Sequence, residues 1–197
     1  RTNTISNRTA IMIKNKNILE QYLYFSKFVS IDVREAQIIK KNLSLHPDYS
    51  DFIEKIRAVP ETDHCPEIQN MIFSVNANFV STTVKNTSGY IMFVEYGSVN
   101  IEKESRNDKS EMVLAISIAH EVPSSSGDMI EDLLLSQTCF DILKKILDKM
   151  YEDFENLDNC QENQLIIYPV ELYPIMPSEF FGRGGWTAMF KSGRILP

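Results

Sequence analysis

A few short runs in this sequence hold residue types that could do chemistry. Asp63-His64-Cys65 sets an acid, a base and a nucleophile side by side. Consecutive residues of an extended segment point apart, however, and the surrounding PETDHCPE (60–67) has the composition of a loop. Gly182-Arg183-Gly184-Gly185 invites a phosphate-loop reading. The Walker pattern needs a GKS or GKT ending that opens a helix, and here Trp186, Ala188 and Phe190 alternate with polar or flexible partners as a strand would. Glu131-Asp132 and Glu152-Asp153 fall on the surface of a helical pattern, where paired carboxylates are normally solvated. There is no GxSxG, HExxH or CxxC. Cys65, Cys139 and Cys160 are three and widely spaced, so they read as reduced and unpaired. His46, His64 and His120 carry no motif. The expectation is no catalytic centre, no metal and no cofactor. A dispersed enzyme site would need His64 or His120 brought to a carboxylate in a pocket.

The elements that must position these residues follow from periodicity. Residues 1–13 are polar and then apolar without a period, as in an arm or a short edge strand. Ile18, Leu19, Tyr22, Leu23 and Phe25 form a helical stripe. Asp32 with Glu35 reads as a capping pair for a second helix, with a strand through 28–31 as the alternative. Ser50 or Asp51 caps a short helix that stops before Pro60. From Met71 the pattern has period two, and the Val- and Thr-rich stretch 79–85 reads as a strand, so 71–96 is expected to be a hairpin or meander. Residues 97–110 read as a long charged connection. Strand 112–119 has one bulky face (Met112, Leu114, Ile116, Ile118) and one small face. Asp128 with Glu131 caps the strongest helical stripe, 129–154, on the order of 39 Å long, whose ends would project or kink beyond a small sheet. Strands at 164–173, broken by Pro169, and at 186–191 close the chain. The fold class is α+β: a mainly antiparallel sheet against one long amphipathic helix. An N-terminal arm and helical region (1–69) precedes an α+β core (70–197) in one compact unit.

Composition narrows the function classes. With 43% apolar and 24% charged residues the chain is globular, and no apolar run reaches a bilayer span. The opening residues carry no signal-peptide pattern, so a reducing compartment is expected. The net charge of −7 makes phosphate gripping a poor function, since that needs clustered Lys and Arg. Residues 111–170 hold twelve acidic and three basic groups, either a solvated helix face or a surface that repels nucleic acid. Tyr168, Tyr173, Phe180, Phe181 and Trp186 crowd the last two strands, as core residues or as a contact surface.

The order of elements, with MFVEYG (92–97), VLAISIAHEVP (113–123), the helix from Asp128, LIIYPVELYP (165–174) and GGWTAMF (184–190), resembles the tail-completion or tail-terminator proteins of tailed bacteriophages. The closing run also resembles neck-ring proteins of crAss-like phages. The resemblance covers Met71 to Lys191 and leaves the first 70 residues outside it. It implies a structural virion protein, assembled in the bacterial cytoplasm, that forms a cyclic ring at the head–tail junction. Its partners would be copies of itself, a portal or adaptor, and tail proteins, with DNA passing unbound and no membrane involved. Sixfold and twelvefold symmetry both fit. A stand-alone binding or regulatory module is the other reading. The expected subunit contacts are the arm 1–13, the connection 97–110 and the turn carrying Phe180, Phe181, Arg183 and Trp186. Arg183, read as an exposed loop charge, is expected to be dispensable for folding, whereas Trp186 serves both core and contact.

Overall fold

A computed structural model describes residues 18–39, 46–104, 107–122, 128–155 and 167–193. The elements are α1 (Ile18–Ser26), α2 (Ile31–Ala36), α3 (Tyr49–Arg57), β1 (Ile68–Phe73), α4 (Ala77–Lys85), β2 (Tyr90–Glu104), β3 (Asn107–Glu121), α5 (Met129–Glu155), β4 (Ile167–Ile175) and β5 (Arg183–Gly193). The strands form one five-stranded sheet in the order β1-β2-β3-β5-β4. Three of its pairings are antiparallel and β1–β2 is parallel, so the α+β, mainly antiparallel class holds.

The long helix runs as its stripe requires. Asp128 Oδ1 accepts from the amides of Ile130 (2.9 Å) and Glu131 (3.4 Å) at its start. Cys139, Leu143, Ile146 and Met150, at three- and four-residue steps, bury against Leu114, Ile116 and Ile118 of β3 and Ala188 and Phe190 of β5. The helices α1 and α2 and the connection between them join the same core through Tyr24, Phe25, Phe28 and Val33. The Asp32 cap expected for α2 is corrected: Ser30 caps it, accepting from Val33 N at 3.4 Å, and residues 28–31 are not a strand. Likewise α3 begins at Tyr49, with Asp48 at the cap position instead of Ser50 or Asp51.

Two larger corrections concern the middle of the chain. Residues 79–85 are helical, so 71–96 is a strand–helix–strand unit. The Asn76 side chain accepts from both Asn78 N and Phe79 N at 3.1 Å, which starts a helix. Val80 and Val84, one turn apart, then bury against Ile72, Ile91 and Phe93 on the sheet face opposite α5. That burial outweighs the β preference of Val and Thr. It also explains the parallel pair, since a parallel connection needs a crossover element. The segment 97–110 is not a loose connection either. β2 continues to Glu104 and β3 starts at Asn107, in a register that sets Glu102 opposite Lys109 and Lys103 opposite Asp108. β4 and β5 lie where expected and extend to Ile175 and back to Arg183; residues 164–166 lie outside the described residues.

One polar node ties α1 to the far end of α5. Lys27 Nζ pairs with Asp153 and with Asp63 (3.5 Å), over the rings of Tyr24 (4.4 Å) and Phe28 (4.9 Å). The Tyr24 hydroxyl donates to Asp153 Oδ2 at 2.8 Å. Burial first, and then the Asp153 carboxylate, hold the Tyr24 pKa well above its ordinary value. The raised folded-state value means the unfolded chain loses this proton first. The contribution is therefore intact below pH ~10 and is lost as pH rises toward the folded value. Tyr24→Phe should consequently lose less stability than the parent between pH 9 and 11 in urea unfolding. Equal losses would contradict this.

Candidate interaction surfaces

The four residues expected to make subunit contacts sit in three different environments. Arg183 is the first residue of β5 and is 3% exposed. Its Nη1 donates to Gly89 O at 2.9 Å, and its Nη2 to Val84 O at 3.2 Å and to Thr87 O. These carbonyls end α4 and form the turn into β2. Burial lowers its pKa from the ordinary value, with the Glu121 charge acting in the opposite direction. The reading of Arg183 as an exposed loop charge is thus corrected: it caps a helix from inside, because strand pairing opposite Glu121 directs it inward. Trp186 is half-buried, donates from Nε1 to Ser136 Oγ at 3.1 Å and meets Phe140 edge-on at 5.2 Å, so it helps seat α5. Phe180 stacks on Phe93 at 5.6 Å and closes the small core under α4.

Phe181 differs from the other three. It is 43% exposed and holds φ +53°, left-handed backbone that a bulky residue adopts only at a cost. The turn around it is tightly bonded, Gly182 N to Pro177 O at 2.8 Å and Arg183 N to Phe180 O at 2.9 Å. Farther along, Gly185 has φ +156° and a Cβ there would lie 2.0 Å from Ile118 O. The glycine-rich run therefore serves close strand packing in β5, and not a phosphate loop.

Two more surfaces project. Past Val94 on β2 and Glu111 on β3, the strands pair only with each other among the described residues, which leaves a two-stranded ribbon from Asn100–Glu104 and Asn107–Ser110. Its five-residue arm is about 17 Å long. At the opposite end, the first turns of α5 expose Met129 (69%), Ile130 (58%), Leu133 (58%) and Leu134 (64%). Met176 and Phe181 are exposed at this end too. Sequence periodicity assigned Ile130, Leu133 and Leu134 to packing on the sheet; the helix outruns the strands beneath it. The arm 1–13 lies outside the described residues.

Two grooves flank α5. One, of about 360 Å³, is lined by Phe140, Leu143, Leu147, Tyr151, Val170 and Leu172 with Lys144 and Asp148. The other, of about 400 Å³, is lined by Phe28, Thr62, Asp63 and His64 with the charged side chains of α5. His64 Nδ1 lies 2.8 Å from Glu61 O and His120 Nδ1 2.9 Å from Glu121 O, so each ring bonds a backbone carbonyl. Cys65 and Cys139 are free and buried, and burial pushes the Cys139 thiol up to about 12. Cys160 lies outside the described residues. Among the described residues no group of His, Cys, Asp and Glu is placed to hold a metal ion, and no helix is long and apolar enough to cross a membrane.

No protein family, curated protein or solved structure matches this chain.

The division between the interior and exposed residues of this turn is measurable. Arg183→Met should cost about 2 kcal/mol or more, since several buried carbonyls lose their donor. Phe181→Asn should stay within about 0.5 kcal/mol of the parent, because relief of the positive-φ strain offsets the lost ring contact with Phe180. Urea unfolding of both variants is the check, and equal costs would contradict the assignment.

Proposed function

We propose that this chain is a structural virion subunit that forms a cyclic ring at the head–tail junction of a tailed bacteriophage, with a mechanical and not a catalytic role. The observation that carries the reading is the exposed, strained Phe181 on a rigidly bonded turn. Within the chain the Phe181 ring meets Phe180 at 5.7 Å and leaves its outer face exposed, a strained aromatic suited to anchor in a neighbour's pocket. The two ends of the molecule support it further. The apolar start of α5 and the charged ribbon are different surfaces, as heterologous contacts require, and such contacts close into rings when the rotation permits. The net charge of −7 suits a channel past which DNA moves without being held. Portal or adaptor proteins on one side and tail proteins on the other complete the proposed partners, with the virion as the location. Ribbon, turn and N-terminal arm are the proposed contact elements.

Particle mass in solution tests the reading. A discrete multiple of the 22.7 kDa chain mass is expected, reduced toward the single chain by Phe181→Asn. A protein that stays a single chain at high concentration would overturn it.

A further inference from the structure

We propose that the exposed start of α5 is the seat of the N-terminal segment, residues 1–17, of a second copy of this chain. The inference rests on the ring reading and names one of its contacts.

The seat has an apolar floor and an acidic rim. Ile130, Leu133 and Leu134 stay 58–64% exposed in the single chain, too contiguous for scattered surface residues. Asp128, Glu131 and Asp132 flank them, and the first basic residue of the helix is Lys144. The segment ahead of α1 has the complementary chemistry. It carries Arg1, Arg8, Lys14 and Lys16, no acidic residue, and the apolar run Ile11-Met12-Ile13. Apolar residues between basic ones match an apolar stripe between acidic ones, and the complementary charges set which surface is chosen.

The reach of the segment admits a neighbouring copy, and the ring reading selects it over the chain's own seat. α1 is fastened by Tyr24 and Lys27 to Asp153, near the last turn of α5. The seat lies some 19 residues back along the helix, about 28 Å away. Seventeen extended residues reach at most about 56 Å, enough to bridge two adjacent copies. A basic segment of one copy on an acidic-rimmed seat of the next would be a heterologous contact.

Carbodiimide cross-linking of an equal mixture of ¹⁴N- and ¹⁵N-labelled full-length chain reads this out by mass spectrometry. The reagent joins a Lys14 or Lys16 amine to the Glu131 or Asp132 carboxyl with loss of water. Linked peptides of mixed isotope are expected. Assembled particles with same-isotope links only, or with none, would overturn the inference and leave the ring reading standing. A chain that never assembles would overturn both. Leu133→Ser/Leu134→Ser, at exposed positions, should weaken association about tenfold or more and remove the mixed links. Undiminished mixed links in that variant would also overturn it.

Discussion

The buried guanidinium of Arg183 is the interaction on which the arrangement of the sheet depends. It begins β5, yet it bonds the carbonyls that end α4 and lead into β2, nearly a hundred residues earlier in the chain. A buried cation without partners would be costly, and carbonyls at a helix end without donors would be too. Each need is met only if β5 lies beside β3 in the observed register and α4 lies under β2. Strand order, the crossover helix and the glycine-rich start of β5 are therefore coupled. Gly185 allows β5 to approach Ile118 closely enough for this reach.

The same device recurs in the N-terminal helices. Arg34 is 1% exposed and donates from Nη1 to Val59 O at 2.7 Å and Ile56 O at 3.2 Å, at the end of α3. A basic residue reaching the last carbonyls of a helix complements its dipole. Two arginines thus fix the ends of α3 and α4, while the Lys27 node fixes α1 to α5. These three cations hold the frame, while Lys55, Arg57, Lys85, Lys144 and Lys145 stay on the surface among the carboxylates.

Elements whose burial is one-sided and local were legible in the sequence. The three- and four-residue steps of α5 and the bulky-face alternation of β3 each report their own packing surface. The rest depends on partners that local pattern does not name. In α4, Asn76 and the pair Val80 and Val84 compete with a Val/Thr-rich composition, and the helix prevails because a small core waits beneath it. The charged sequence of 97–110 resembles a loop, and only the backbone register pairs its two strands. Of the candidate contact residues, flanking glycines made Arg183 look exposed, and no sequence pattern separates the exposed Phe181 from Phe180, which stacks on Phe93. The exposed start of α5 did leave a trace, because a helix on the order of 39 Å is too long for a small sheet to cover.

A molecule built this way uses two buried arginines to hold its frame and places exposed apolar groups at one end and a two-stranded β-ribbon at the other. Association through those ends, with the pinned interior unchanged, is the central claim. Hydrogen exchange at low and high protein concentration tests it most directly. Amides of residues 100–110, of the 176–182 turn and of the first turns of α5 should gain protection as concentration rises, while those of the Val84–Gly89 turn held by Arg183 should not change. Identical exchange at both concentrations across those three surfaces, in a range where particle mass changes, would contradict the account.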